Sequence, residues 1–287
     1  MNRFFPLVTL VLALACLSAG AGAQTPAANR MPDGSRDLYV GLGVQAAPRY
    51  AGADSDRLAA LPVVQFAWSN GVFVSGATVG WHLSDSPTVE YGPLLAWQPR
   101  RGADGDGDSA GAVTTVSIPE MATMKLRLRL PHRLEGLDPV PARVLGGGFM
   151  NVYLTPDWRL TNSVLAGAGS DRNGVLWRVG VQRIGIELGR HHTLSFNAGI
   201  DIGNRAWNQA YSGVSLEESS RSGYGIYHAG AALREVHVGA RWNWALSPSW
   251  LLTSGIDAGR LVDVARHSPL TVRPTGVTAS TALAFRF

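Results

Sequence analysis

The chain has 287 residues, of which 46% are hydrophobic and 16% charged, and its formal net charge at pH 7 is +4. A net charge this small gives no indication of a nucleic-acid partner. The one cysteine is Cys16, so a chain processed beyond it has no disulfide, zinc-thiolate site or cysteine nucleophile. The 34 glycines and 9 tryptophans favour a membrane barrel, because glycine lets strands pack closely and tryptophan settles at membrane interfaces.

The N-terminus predicts export. Arg3 precedes an apolar run at residues 4–17, and the small residues 21–23 follow it. This order is typical of a secretory signal peptide cleaved after Ala23, and the run is too short to span a bilayer as a helix. Cys16 leaves a lipoprotein signal as an alternative. We therefore expect a signal peptide at 1–23, a periplasmic segment at 24–36, a barrel at 37–287 and a location in the cell outer membrane.

Period-two alternation predicts strands that have one apolar and one polar face. It is clearest at residues 124–130, 194–202 and 236–246. A cation on the lipid face near the midplane costs about 2–4 kcal/mol, so the polar face must look into a wet lumen or a soluble exterior. The charged or ionisable residues predicted to face the lumen are Lys125, Arg127, Arg129, Asp201, His237, Arg241 and Asp257.

The connections between predicted strands alternate between short and long. Short turns are predicted at 69–71, 155–157, 190–192 and 247–249, with longer loops near 48–58, 131–141, 168–174, 208–225 and 266–275. This alternation is typical of outer-membrane barrels. Further strands are predicted at 38–47, 59–68, 72–83, 88–98, 142–154, 158–167, 175–188, 250–264 and from Val277 onward, with a bulge near 182–184. With residues 121–130 included, the prediction is an all-β, transmembrane, antiparallel up-and-down barrel of about twelve strands, ten being possible.

Aromatic residues indicate where the barrel meets lipid. Tryptophans near predicted strand ends are expected to form an interfacial girdle against outer-membrane lipid: Trp68, Trp81, Trp97, Trp158, Trp207, Trp244 and Trp250. In the last strand, one face holds Val277, Ala279, Thr281, Leu283, Phe285 and Phe287. We predict that Phe285 and Phe287 form an assembly signal for the barrel-assembly machinery. The alternative for this segment is the last strand of a soluble sandwich.

Short motifs follow one another along most of the chain. They begin with Gly41-Leu42-Gly43-Val44, are most specific at Tyr211-Ser212-Gly213-Val214 and Ser220-Arg221-Ser222-Gly223-Tyr224, and end with Ser247-Pro248-Ser249-Trp250. The series resembles the MipA/OmpV family (MltA-interacting protein-like) of Gram-negative outer-membrane proteins, with a departure at about 100–132. For the best-known members the resemblance implies a scaffold that bridges a lytic transglycosylase and a bifunctional peptidoglycan synthase, and other members are linked to osmotic response or adhesion. We therefore expect a non-enzymatic scaffold in cell-envelope maintenance. The resemblance brings no residue-level active site.

Two other functions remain open. Mixed lumen charges could line a narrow channel that selects by charge, although internal ion pairs that plug the barrel are favoured; an osmotically regulated pore is what the resemblance adds to this alternative. A lipid-modifying enzyme would need a serine beside a histidine, but His267 and Ser268 are adjacent, so their side chains diverge in an extended chain. Asp104, Asp106 and Asp108 suggest calcium, but Ser109 and Thr115 stand where an EF-hand-like loop needs glycine and glutamate. We therefore expect no catalytic residue, metal or cofactor.

Overall fold

Twelve antiparallel strands close into a barrel in the computed structural model, which describes residues 35–102, 133–169 and 171–287. Each strand pairs with its neighbours in sequence, and the last pairs with the first. The strands are β1 (Arg36–Pro48), β2 (Asp56–Trp68), β3 (Val72–Ser75), β4 (Thr78–Trp81), β5 (Val89–Gln98), β6 (Arg143–Tyr153), β7 (Trp158–Ala168), β8 (Gly174–Glu187), β9 (His192–Gly203), β10 (Ala232–Ala245), β11 (Trp250–Leu261) and β12 (Thr275–Arg286). The predicted fold class is confirmed.

The barrel closes where β1 meets β12. Their register runs from Tyr39↔Arg286 to Ala46↔Ala279. Glycine is needed inside this seam, because a Cβ at Gly41 would lie 2.2 Å from the carbonyl oxygen of Leu283. Leu283 is 40% exposed on the outer face, whereas Ala284 is 1% exposed on the inner face. The two faces of the last strand therefore agree with the predicted alternation.

The strand count agrees with the prediction, but one strand pair lies elsewhere than expected. The single strand predicted at 72–83 is wrong, because β3 and β4 form a hairpin that turns at Gly76 and Ala77. Gly76 supplies the positive φ of +56° that a two-residue hairpin turn requires, and the Thr78 hydroxyl donates to the Ser75 carbonyl at 2.7 Å. The strand predicted at 121–130 lies outside the described residues.

Pro62 of β2 lies where the short β3–β4 hairpin no longer pairs with β2. β3 pairs with β2 only at residues 65–67, and the Gly76 N–H donates to the Val64 carbonyl at 2.8 Å. Since alternate residues of a strand direct their backbone groups to the same side, Pro62 also directs its ring nitrogen toward the hairpin side. A proline is tolerated there because no ladder bond with β1 is lost.

The two ends of the barrel differ in the length of their connections. The short-turn end holds the connections 69–71, 82–88, 154–157, 188–191 and 246–249, together with the C-terminus. The loop end holds 49–55, 99–142, 169–173, 204–231 and 262–274, and the two-residue turn 76–77 of the short β3–β4 hairpin lies on the same side. In outer-membrane barrels the short turns are periplasmic.

Three helices lie in the loops at the loop end: α1 (Arg205–Ser212), α2 (Leu216–Ser222) and α3 (Asp263–Arg266). In the part of the chain that is described, no helix has the length and apolarity to cross a membrane. The strand predicted at 250–264 is too long, because β11 ends at Leu261 and Val262 is the N-cap of α3. The predicted irregularity near 182–184 is confirmed as a register shift between Arg183 and Ile186.

Candidate functional site

Helix α1 lies inside the barrel mouth at the loop end, and its N-cap fixes it to the wall. The side-chain oxygen of Asn204 accepts hydrogen bonds from the backbone N–H of Trp207 at 2.8 Å and of Val175 at 3.0 Å. Its amide nitrogen donates to the Asn173 carbonyl at 2.8 Å. One side chain therefore caps the helix and ties it to the start of β8.

The apolar face of α1 belongs to a buried cluster that includes residues of four strands. Trp207 is 1% exposed and Tyr211 is 6% exposed. They belong to one buried cluster with inward-facing residues of β5, β6, β7 and β8, namely Leu94, Ala96, Leu145, Leu165, Ala168 and Leu176, and with Val140 of the neighbouring loop. On its other sides α1 contacts β9, β10 and α3. Helix α1 therefore fills the part of the mouth beside these strands, and we call it the plug.

Tyr211 joins the plug to two arginines. The Gln98 amide donates to its hydroxyl, and Arg101 donates to its carbonyl at 3.2 Å. The guanidinium groups of Arg101 and Arg234 lie 5.7 and 5.3 Å from the centre of its ring. Cations at this distance from an aromatic face are attracted to it, so polar contacts from β5, β10 and the loop after β5 also hold the plug.

The remaining loops form a cap around the plug. Their buried residues make a second apolar cluster of Tyr50, Ala53, Leu134, Leu137, Val214 and Leu270. Ser215 and Glu218 form a capping box at the start of α2, and Glu218 also accepts from the Asp138 N–H at 2.9 Å. The Asp138 carboxylate lies 2.6 Å from the Arg221 guanidinium and raises the pKa of that side chain above its usual value. The cap is therefore built from residues of several loops.

An ion pair lies inside the barrel just below the plug. Arg178 of β8 lies 3.3 Å from the carboxylate of Asp201 of β9, and Asp201 is only 4% exposed. The Nδ1 atom of His237 on β10 lies 3.9 Å from the other oxygen of Asp201. A buried carboxylate needs such partners, because burial of an unpaired charge is unfavourable.

A second polar group lies nearer the short-turn end. Glu90 of β5 accepts from the Tyr153 hydroxyl at 2.9 Å and from the Asn151 amide at 3.2 Å. Arg159 of β7 donates to Gln182 at 2.9 Å and lies 3.8 Å from Glu90. One ion pair and these hydrogen bonds therefore connect β5, β6, β7 and β8 within the barrel.

The residues predicted to face the lumen fall into three sets. Asp201 and His237 lie together as described above. Asp257 lies beside Gly239, since a Cβ at Gly239 would lie 2.0 Å from its Oδ1 atom, and Arg241 follows two residues later on the same face of β10. Lys125, Arg127 and Arg129 lie outside the described residues. The prediction missed four charged residues, Arg178, Glu235, Glu90 and Arg159, although each follows the period-two alternation of its strand.

One tryptophan of the predicted interfacial girdle lies elsewhere than expected. Trp207 is not interfacial, because α1 carries it into the barrel mouth. The structure places Trp68, Trp81, Trp158, Trp244 and Trp250 near the short-turn end and Trp97 near the loop end. Trp177, which was not predicted, is 43% exposed near the start of β8, where its indole donates to Asn162 at 2.8 Å. Phe285 lies 5.1 Å from Trp250 and 5.0 Å from Phe287, measured between ring centres.

The structure also bears on the alternative chemistries. His267 places Nδ1 2.8 Å from the Asp263 carbonyl, and the Ser268 hydroxyl donates to the Ser212 carbonyl at 2.6 Å, so both are engaged in loop packing. Among residues 35–102, 133–169 and 171–287, histidines, cysteines and carboxylates form no group of three that could hold a metal ion. Asp104, Asp106 and Asp108 lie outside those residues.

The sequence model of one family, described as MltA-interacting protein MipA, matches residues 40–287. The chain belongs to the MipA family. The match covers nearly the whole barrel, including the plug, the cap and the closing strand. The chain is therefore an outer-membrane β-barrel of the MipA family. No curated protein matches its sequence.

Solved barrels resemble this MipA-family chain only distantly. The KdgM porin in complex with disordered oligogalacturonate is 6% identical, covers 88% of this chain and 99% of its own, and has a TM-score of 0.39. The Pseudomonas putida toluene transporter TodX is 9% identical, with 92% of each chain covered and a TM-score of 0.35. The N-terminal β-barrel domain of Pseudomonas aeruginosa OprF is 14% identical over 50% of this chain and 87% of its own, with a TM-score of 0.26.

Proposed function

We propose that this protein is a non-enzymatic scaffold of the outer membrane, whose barrel holds a contact surface at the membrane while partner enzymes act on the cell wall. The proposed partners are a lytic transglycosylase and a bifunctional peptidoglycan synthase. The family's description as MltA-interacting supports the first partner. The second partner rests on the family resemblance alone.

The observation that carries this proposal is the plugged mouth. Trp207 is 1% exposed and belongs to a buried cluster that includes inward-facing residues of four strands, and the loop cap surrounds α1. A barrel built for diffusion of solutes keeps an aqueous channel instead. The blocked interior therefore favours function at the surface.

The short-turn end is the surface that faces the cell wall if the short turns are periplasmic. It presents exposed turn residues, among them Arg190 and Pro248, and the exposed segment 85–86. The turns are short, so their positions follow those of the strands. A partner would dock on a ring of fixed turns rather than fold a long loop around itself.

Site-specific crosslinking tests the scaffold. A photo-crosslinking residue is placed at Arg190 or at Pro248, and the matched control is Leu216 of α2, which is 70% exposed at the opposite end. We expect a lytic transglycosylase to crosslink from both turns and not from Leu216. Recovery of no murein enzyme from either turn, or equal recovery from Leu216, would count against the scaffold.

The second candidate is a narrow or gated channel, which the polar interior favours. Below the plug the barrel holds Arg178, Asp201, His237, Glu90 and Arg159, which can order water and ions. Conductance in planar bilayers separates the two functions. Steady conductance of the unmodified protein would favour the channel, and silence would favour the scaffold.

The third candidate is a lipid-modifying enzyme. We propose that the protein is not one, because the adjacent His267 and Ser268 hydrogen-bond to backbone carbonyls in the loops. Turnover of a phospholipid or of an acylated glycolipid by the purified protein would overturn this part of the proposal. The same preparation also allows labelling with a serine-directed reagent.

A further inference from the structure

One side of β2 has no neighbouring strand near the loop end of the barrel. β2 pairs with β1 along residues 56–68, but β3 pairs with β2 only at residues 65–67. The β3–β4 hairpin turns at Gly76, whose N–H donates to the Val64 carbonyl at 2.8 Å. In the part of the chain that is described, no strand therefore lies beside residues 56–62 on this side. We call these residues the open edge of β2.

The open edge faces an apolar environment. Leu58 is 74% exposed on the outer face of the barrel, and Val44, which pairs with Ala60 across β1 and β2, is 47% exposed on the same face. Since the Val64 carbonyl points toward the hairpin, the backbone groups of Leu58 and Ala60 also point to that side. Lipid offers no hydrogen bonds, so unpaired sheet edges do not occur at hydrocarbon depth. The open edge therefore needs another stretch of backbone beside it.

The chain returns to the described structure beside this edge. The Arg133 guanidinium lies 3.2 Å from the carboxylate of Asp54, which stands two residues before β2. Leu134 belongs to the same buried cluster as Ala53. β2 runs from the loop end to the short-turn end, so a segment that follows the open edge and ends near Arg133 runs antiparallel to β2.

The segment that leads to Arg133 has the sequence pattern of a barrel strand. Apolar and cationic residues alternate in it as Met124, Lys125, Leu126, Arg127, Leu128, Arg129 and Leu130. A strand between lipid and a polar lumen requires one apolar and one polar face. We propose that residues 121–130 pair with the open edge of β2 as an antiparallel strand, with the leucines toward the lipid and the cations toward the lumen.

The two faces of β2 limit the register of this pairing. The leucines must share the outer face with Leu58, which places Leu130 opposite Leu58 and Leu128 opposite Ala60. A slip of one residue would turn the cations to the lipid. In this register residue 133 falls opposite residue 55, next to Asp54, in agreement with the ion pair. At the other end of the segment, residues 103–120 can span about 60 Å when extended, which is enough to reach the level of the hairpin turn.

The pairing affects the interior as well as the wall. Lys125, Arg127 and Arg129 would add three positive charges to a lumen that already holds the carboxylates of Glu90 and Asp201. The pairing also covers an edge that would otherwise be available to another chain. It rests on the barrel alone and does not depend on the proposed scaffold.

Cysteine pairs test the register in the full-length chain, in a Cys16→Ser background that contains no other thiol. Leu58→Cys with Leu130→Cys should form an intramolecular disulfide on oxidation in outer-membrane vesicles, because opposite residues of an antiparallel pair lie about 4.5–5.5 Å apart. Val44→Cys with Ala60→Cys is the positive control, since these residues pair across β1 and β2. Leu58→Cys with Arg129→Cys is the matched control and should not form a disulfide, because the two side chains lie on opposite faces.

A second measurement needs no thiol. Leu128→Arg should lower the fraction of the protein that shows heat-modifiable gel mobility, because it places a cation on the lipid face. Arg127→Asn keeps the lumen face polar and should leave that fraction unchanged. Equal effects of the two variants would contradict the assigned faces, and this comparison remains available if a cysteine pair does not insert.

Three results of the disulfide experiment would overturn the proposal. Equal yields from Leu130→Cys and Arg129→Cys would mean that the segment has no fixed face beside β2. A folded barrel in which Leu58→Cys forms no disulfide with Leu130→Cys would mean that this segment does not occupy the edge in the assigned register. A dimer linked through Leu58→Cys alone would mean that a second copy of the chain pairs with the open edge instead.

Discussion

Replacing Trp207 with alanine should open the plugged mouth. Trp207 is 1% exposed and touches inward residues of the wall, and truncating a buried aromatic side chain to alanine costs about 3–5 kcal/mol. Its indole nitrogen has no hydrogen-bond partner among the described residues, so this loss is mainly packing. Because each 1.4 kcal/mol is a factor of ten, the equilibrium between docked and undocked α1 shifts by roughly two to three and a half orders of magnitude.

The assay is conductance in planar bilayers together with hydrogen exchange at residues 205–212. Trp207→Ala should give brief openings and faster exchange, whereas Trp207→Phe keeps most of the packing and should change both much less. Leu216→Ala, at a residue that is 70% exposed on α2, is the control. Unchanged exchange and a silent bilayer for Trp207→Ala would refute the view that this side chain holds the plug.

Three further changes test the barrel itself. Gly41→Ala places a Cβ 2.2 Å from the Leu283 carbonyl oxygen and should reduce the fraction that shows heat-modifiable gel mobility, whereas Gly146→Ala, with nothing within 4 Å, should assemble normally. Asp201→Asn leaves Arg178 without its carboxylate and should lower the free energy of unfolding in urea by about 3–5 kcal/mol; an unchanged midpoint would contradict it. Deleting Phe287 should reduce insertion into the outer membrane. Normal insertion would show that the barrel-assembly machinery does not recognise the terminal aromatic residue.

The barrel was predictable because lipid imposes a simple rule on each strand. Outward residues must be apolar and inward ones small or polar, so alternation located most strands to within a few residues. The rule says nothing about where a strand reverses. Ser75, Gly76, Ala77 and Thr78 continue the alternation through a tight turn, and a hairpin was therefore predicted as one strand.

The candidate site was less predictable because it depends on tertiary contacts. Trp207 was predicted to be interfacial because it lies near a strand end in the sequence. It is buried instead, because it belongs to α1, which lies inside the barrel mouth. The capping oxygen of Asn204 is the local signal that could have revealed the helix. Asp201 and His237 were predicted to face the lumen, but their partner Arg178 was missed, because only the cross-strand register of β8 and β9 shows that its side chain meets Asp201.

The plug and the proposed docking surface lie at opposite ends of the barrel, and this separates their functions physically. Asp201, which pairs with Arg178 in the interior, lies three residues before Asn204, which caps α1, so the ion pair is close to the plug. Arg190 lies in a turn at the other end of β9. Conductance should therefore respond to Trp207→Ala while crosslinking from Arg190 stays unchanged. A variant that altered both conductance and crosslinking would show that the position of the plug affects the periplasmic surface. The scaffold and the channel would then be two conformational states of the same barrel.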